Sequence, residues 1–248
     1  MSKVSLVLAT YHHAPYLEKT LFSIVNQTRK PDQIVVVEDG DDDGGATFAV
    51  CEKWKTALHI EHYRRVNRPK LVYSNQAIPL NCAIKIATGK ILLIHDDACM
   101  FTKPTDIENL VRPVEENPNV TTYAVVKHLD RNGQNPGIEF KDANGIPTFW
   151  NYRGQAIRRD VVVVMGGIEE SWIGYGGDDC NFRERLVRWN NGIMESRRMF
   201  DVEIYHQWHP QGRTDAELPI YHENSRRYER LSAQMIANEG RDWGNLNS

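Results

Sequence analysis

Short apolar runs alternate along this chain with stretches whose apolar positions recur every three or four residues. Val4-Ser5-Leu6-Val7-Leu8-Ala9 reads as a strand, and Leu17, Leu21, Ile24 and Val25 then share one helical face, with Pro31 beyond its end. Ile34-Val35-Val36-Val37 and Ile91-Leu92-Leu93-Ile94 are unbroken, the pattern of strands covered on both faces of a parallel sheet. Between them the spacing predicts a helix over 48–58, a strand over 59–63 and a helix over 78–87 closed by Gly89. Farther on it predicts a helix over 105–116, a strand over 120–127, a short helix over 160–165 and a helix over 180–190. A strand over 200–205 and a last helix over 225–238 complete the pattern, and the Gly- and Asn-rich stretch 131–145 reads as a hairpin or loop.

This alternation predicts an α/β fold with an open, mostly parallel central sheet flanked by helices. Ligands of such sheets bind beyond the carboxyl ends of the strands. Thr10-Tyr11, Glu38-Asp39 and Asp96-Asp97 all lie at predicted strand ends and so converge on one crevice. No repeat, low-complexity linker or domain boundary interrupts the pattern, so residues 1–248 are expected to form a single domain.

Composition narrows the picture. The net charge of −3 gives no electrostatic ground for nucleic-acid binding, and no basic stripe or aromatic ladder is present. Arg64-Arg65 with Arg68, and Arg226-Arg227, are local clusters that suit a solvated face or a phosphate. Cys51, Cys82, Cys99 and Cys180 have no metal-like spacing and read as reduced thiols of a cytoplasmic protein. The N-terminal apolar run is too short for a signal peptide, and no run reaches the length of a membrane span.

Two carboxylate pairs carry the candidate chemistry. Asp96-Asp97 end a buried strand, whereas Gly176-Gly177-Asp178-Asp179 lead into an amphipathic run marked by Phe182, Leu186 and Trp189. One pair suits a divalent cation and the other suits proton transfer. The bland alternative is helix capping, which accounts for one Asp of the later pair and leaves the second Asp and the Gly-Gly unexplained.

Several segments, in order, resemble the family 2 glycosyltransferases of the GT-A fold over about residues 5 to 240. Val7-Leu8-Ala9-Thr10-Tyr11-His12 stands where that family shows V-x-P-T-Y-N, and Ser23-Ile24-Val25-Asn26-Gln27-Thr28 is similar to its S-L-x-x-Q-T. Ile34 to Gly40 resembles I-V-V-D-D-G, and Arg158-Arg159 through Gly166-Gly167-Ile168-Glu169-Glu170 resembles R-R-x(n)-G-G-F-D-E. Tyr175-Gly176-Gly177-Asp178-Asp179 resembles W-G-G-E-D. The D-x-D metal motif departs from the pattern: one register gives Asp96-Asp97-Ala98 and the other gives His95-Asp96-Asp97.

The resemblance implies a metal-dependent, inverting transferase that moves a sugar from a nucleoside-diphosphate donor, UDP-linked first, to a hydroxyl acceptor. Residues 1–100 would form the nucleotide-binding half and 101–248 the acceptor half. Asp179 is the implied base and Asp178 the acceptor contact, with Asp97, His206 and His209 as ligands of Mn2+ or Mg2+. Thr10, Tyr11, Glu38 and Asp39 would frame base and ribose, and Asp96 would either be a second metal ligand or bind the ribose. Of Arg64, Arg65, Arg68 and Lys70, Arg68 is assigned to the donor phosphates. Trp172 and Tyr175 would either stack on the acceptor or pack, and Asn81 is expected to be structural. The polar stretch 210–223 is a candidate lid.

Two rivals bound this reading. A nucleotidyltransferase would need a basic, glycine-rich first loop, and Thr10-Tyr11-His12-His13-Ala14-Pro15 has neither feature. A catalytically inactive carbohydrate- or nucleotide-sugar-binding protein of the same fold would bind sugar without turnover, and Ala98 leaves room for it.

Overall fold

The computed structural model describes residues 1–40, 43–66, 76–135, 153–172, 177–210 and 218–247. Strands β1 (Val4–Thr10), β2 (Gln33–Asp39), β3 (Ile60–Arg65) and β4 (Ile91–Ile94) run parallel in the spatial order β3-β2-β1-β4. Helices α1 (Ala14–Val25), α2 (Ala46–Trp54) and α3 (Ala77–Ile86) precede β2, β3 and β4 in turn. The chain continues through β5 (Cys99–Phe101), α4 (Asp106–Glu116), β6 (Val120–His128), β7 (Gln155–Arg158) and α5 (Arg159–Val164). It then forms α6 (Asp178–Gly192), β8 (Glu195–His206) and α7 (Leu218–Ala233).

One sheet joins all eight strands in the order β3-β2-β1-β4-β7-β6-β8-β5. The β6–β8 ladder is parallel, and the β4–β7, β6–β7 and β5–β8 ladders are antiparallel. The expected mostly parallel sheet is therefore present, with its antiparallel members confined to the second half.

The unbroken apolar runs follow from layering. Alternate residues of a strand face opposite sides. Leu6 and Leu8 join one core with Leu17, Leu21 and Ile24 of α1 and with Ile107 and Leu110 of α4. Val7 and Val35 join a second core with Leu80 and Ile84 of α3 and with Phe182 and Leu186 of α6. Both faces are covered, so the strand interiors are mainly apolar, and the buried Ser5 hydroxyl donates to Gln33 Oε1 at 2.6 Å. β1 lies between β2 and β4, and the order of the sheet reverses there. The loops after β1 and β4 thus border the crevice at which doubly wound sheets hold ligands.

Several boundaries differ from the sequence reading. β5 and β7 are too short to leave a periodic signal. β8 begins at Glu195, upstream of the predicted strand, because Arg197, Arg198 and Asp201 interrupt its apolar pattern. Its register against β6 shifts between Ala124 and Val125, leaving residues 200–202 out of the ladder. α6 starts at Asp178, and its helical backbone breaks at Trp189 (ψ 139°), with Asn190 and Asn191 left-handed. α7 starts at Leu218, so part of the stretch read as a polar lid is helical, and 211–217 lie outside the described residues. The 131–145 stretch is described only as far as residue 135.

Candidate active site

The turn after β4 holds the two carboxylates of the first pair in different ways. Oδ1 of Asp96 accepts the Ala98 amide at 2.8 Å, closing the turn on itself. Oδ2 of Asp96 accepts Nε–H of Arg153 at 2.8 Å. Burial alone would raise the Asp96 carboxyl, but the charge and hydrogen bond of Arg153, with the Ala98 amide, outweigh it and hold the group far below the usual carboxylate range. Asp97 is 6% exposed and meets His13 Nδ1 at 3.2–3.3 Å through its two carboxylate oxygens. Its backbone carbonyl accepts the Thr20 hydroxyl of α1 at 2.8 Å, fixing the turn against the first helix.

The late histidines arrive at the same place. Gln207 N donates to the Ala98 carbonyl at 2.8 Å and Gln207 Nε2 donates to the Tyr16 carbonyl at 3.0 Å, clamping the end of β8 to the Asp97 turn and to α1. The His206 and His209 rings lie 5.1 Å apart, His209 lies 4.8 Å from His13, and His128 lies 4.8 Å from His206. Burial and the charge of Arg153 push His206 down to about 3, so its ring is neutral at ordinary pH. Burial and His13 lower His209 as well. For His13, burial works downward but is outweighed by Asp97, and the net shift is upward.

The donor set suits a hard or borderline divalent cation. Asp97 offers carboxylate oxygen, and neutral imidazoles at His206 and His209 offer nitrogen. His206 Nε2 and Thr10 Oγ1 are buried polar atoms without a hydrogen-bond partner among the described residues, as expected of groups aimed at a ligand. No three His, Cys, Asp or Glu side chains among the described residues are gathered tightly enough to hold an ion as they stand. His13 occupies Asp97 instead.

Arg153 links this turn to the second carboxylate pair. It stands at the entry to β7, next to Gly154 (φ +65°), where an added Cβ would lie 2.9 Å from Ala124 Cβ. Only glycine lets the chain approach β6 this closely, and that approach sets the position of Arg153. Asp179 is half-buried in the first turn of α6 and accepts the Cys180 amide at 2.7 Å. Burial raises its carboxyl above the usual range, and the charge of Arg153 opposes that rise. The N-cap of α6 is Gly177 (φ +97°), which gives no side-chain cap, so Asp178 and Asp179 both lie inside the helix. A Cβ at Gly177 would stand 2.9 Å from Cζ3 of Trp172. Trp172 is 3% exposed and packs beneath the turn, where no sugar can stack on it. Asn81 is structural as expected: it is fully buried and bonds Ile168 O and Glu170 Oε1 at 2.7 and 2.8 Å.

The end of β2 is tied sideways to β3. Asp39, 2% exposed, accepts Arg65 Nε–H at 2.7 Å, and Glu38 Oε2 lies 3.1 Å from His62 Nε2. Arg65, a candidate for the donor phosphates, is thus spent on a buried ion pair. Tyr11 follows β1 and packs 4.3 Å from His12, a left-handed residue (φ 53°). Arg68, Lys70, Tyr175 and Gly176 lie outside the described residues. The structure therefore gathers Asp96, Asp97, His206 and His209, with Asp179 joined through Arg153. Sequence reasoning missed Arg153, His13 and His128. His13 was open to discovery, since it follows the same strand end as Thr10. Arg153 carried no signal beyond the glycine after it.

This architecture is that of the GT-A glycosyltransferases. With 93% of the chain aligned, it superposes on 64% of Staphylococcus aureus TarS in complex with UDP, at TM-score 0.67 and 19% identity. It also superposes on 63% of the mannosyltransferase PcManGT from Pyrobaculum calidifontis in complex with GDP-Man and Mn2+, with 93% of the chain aligned, TM-score 0.62 and 17% identity. Residues 5–167 match the family described as Glycosyl transferase family 2, and the chain belongs to that family. In sequence it is 23% identical over 198 residues to Protein CgeD of Bacillus subtilis, covering 77% of this chain and 44% of that protein. It is also 24% identical over 98 residues to the poly(ribitol-phosphate) beta-N-acetylglucosaminyltransferase TarP of S. aureus, covering 39% of this chain and 28% of that protein. The chain thus spans less than half the length of these two relatives.

Proposed function

We propose that this chain transfers a sugar from a nucleoside-diphosphate donor, UDP-linked first, to an acceptor hydroxyl with inversion at the anomeric carbon. The observation that carries the reading is the shared guanidinium of Arg153, which holds Asp96 at 2.8 Å and faces Asp179 with its charge. Residues 1–100 supply the donor side and residues 101–248 the base and acceptor side. Solved structures of TarS with UDP-GlcNAc and of PcManGT with GDP-Man and Mn2+ support a nucleotide-sugar donor and a divalent cation.

Asp97, His206 and His209 are the residues that would hold Mn2+ or Mg2+, with His13 released from Asp97. When bound, such an ion neutralises charge on the departing diphosphate as a Lewis acid. Thr10 and Tyr11 border the nucleoside, and Asp39, fixed by Arg65, presents its edge to the base. Asp96, oriented by Arg153, accepts from the ribose. Asp179 takes the acceptor proton as the new oxygen–carbon bond forms and the bond to the diphosphate oxygen breaks on the opposite face. Its raised carboxyl suits that task, because a stronger base accepts the proton more readily. Asp178 holds the acceptor hydroxyl.

Calorimetry with UDP, GDP, TDP and CDP, each with and without manganese, tests the donor side. One nucleotide should bind tightly with metal and weakly after chelation or in Asp97→Ala. Absence of nucleotide binding under every condition would defeat the reading.

A further inference from the structure

A cavity of about 370 Å³ is lined by Arg227, Arg230, Gln234, Glu239 and the Glu169–Arg241 pair, with Ser171 beside them. Its charges are unevenly spent. The buried Glu169 carboxylate accepts the amides of Ser171 and Asn238 at 2.9 and 3.2 Å and pairs with Arg241, so that pair is internally neutral. Arg226 pairs with Glu223 at 3.2 Å on the outer surface. Arg227 and Arg230 have no ion pair among the described residues, and their spacing places them on one face of α7. The buried Ser171 hydroxyl is directed to the Glu169 carboxylate and helps to hold it ionised. Two guanidinium groups outside any ion pair among the described residues therefore line a single cleft. Both donate charge-assisted hydrogen bonds, as a tetrahedral oxyanion requires.

The cleft adjoins the base. Trp172, the residue after Ser171, lies beneath Gly177, where a Cβ would meet its ring at 2.9 Å, and Gly177 leads directly into Asp178 and Asp179. The same ring lies 6.4 Å from Tyr228, the neighbour of Arg227. One buried indole thus links the cleft wall to the turn that carries the base. The volume exceeds that of a bare phosphate and leaves room for the group that bears it.

We propose that this cleft binds a phosphate ester carried by the acceptor, with Arg227 and Arg230 as donors, and so sets the acceptor hydroxyl beside Asp179. The acceptor role rests on the transferase reading above, but the binding of a phosphate ester does not, and the two fail separately in a binding experiment without turnover.

Calorimetry in phosphate-free buffer, with glycerol 3-phosphate and inorganic phosphate as probes, tests the proposal. The samples are the full chain, Arg227→Ala/Arg230→Ala, Arg226→Ala and Asp97→Ala. The ester should bind saturably to the wild type, to Arg226→Ala and to Asp97→Ala, and at least about tenfold more weakly to the double variant, which loses two charge-assisted contacts. Arg230→Gln, which removes the charge and keeps a polar side chain, replaces the double variant if that variant loses its thermal transition. Four results would overturn the proposal: no saturation in the wild type, equal affinity in the arginine variants, loss in Asp97→Ala alone, or inorganic phosphate bound as tightly as the ester. The third result assigns the anion to the donor crevice, and the fourth makes the cleft a site for the free ion.

Discussion

The Nε–H of Arg153 donates to Oδ2 of Asp96 at 2.8 Å, and the charge of the same guanidinium also acts on Asp179. A donor-side carboxylate and the proposed base therefore share one cation. Arg153 enters from β7, a strand that belongs to neither carboxylate's own element, so its removal perturbs both without touching either backbone.

Arg153→Met removes the charge that opposes burial at Asp179. The Asp179 carboxyl then rises further, and the acidic limb of the kcat/KM profile should move up by roughly one pH unit. Arg153→Lys keeps the charge but loses the planar donor, so its limb should stay near the wild type while nucleotide affinity falls. A pH-rate profile of the three proteins checks this. An identical limb in Arg153→Met would separate Arg153 from the base.

Asp179→Asn should lower kcat by about 10² to 10⁴, the usual contribution of a positioned base, and leave UDP affinity by calorimetry unchanged. A base works only when deprotonated, and burial raises this carboxyl. Wild-type activity should therefore fall with decreasing pH above the ordinary carboxylate range. Asp178→Asn should act chiefly on acceptor KM. Equal kcat losses in both variants would contradict the division of roles.

The sequence revealed the parallel half of the sheet because burial on both faces leaves an unbroken apolar signature, as in Ile34 to Val37 and Ile91 to Ile94. The carboxylates at strand ends were legible for the same reason, since the end of a buried strand marks the edge of the sheet. β5 and β7 were not legible, because three or four residues cannot show a period. Arg153 and His13 were hidden for another reason. Their partners are 57 and 84 residues away in the chain, and nothing local encodes such a meeting. The binding of Asp39 to Arg65 was equally silent, since adjacent parallel strands bring the pair together only once their register is set.

Asn81 lies under the loop that precedes Asp178 and Asp179 in the chain. Its side chain bonds Ile168 O, Ile168 N and Glu170 Oε1 at 2.7, 2.9 and 2.8 Å while fully buried. Asn81→Ala strands the Ile168 amide without solvent, while Ile168 O keeps Asn238 Nδ2 and Glu170 Oε1 keeps the Gly244 amide, and should cost about 1–3 kcal/mol. The midpoint in urea should drop with no change in slope. A loss within about 0.5 kcal/mol would show that the loop closes without this bond set.

Glu169 gives acid stability a specific origin. Burial alone would raise its carboxyl from 4.5, yet Arg241, the hydroxyl and amide of Ser171 and the Asn238 amide bring it down to about 2. A carboxyl depressed in the folded state binds its proton more readily in the unfolded chain, so it stabilises the fold above the unfolded value. That contribution should be complete above about pH 4.5 and be lost as the pH falls through about 2. Its size is on the order of 2–3 kcal/mol, reduced by solvent around the half-exposed Arg241. Glu169→Gln should lower stability at pH 7 by that amount and flatten the decline between pH 4.5 and 2 relative to the wild type. Urea titrations across this range make the comparison, and other carboxylates cancel because both proteins share them. Parallel curves for the two proteins would mean that Glu169 is not held ionised by its three partners.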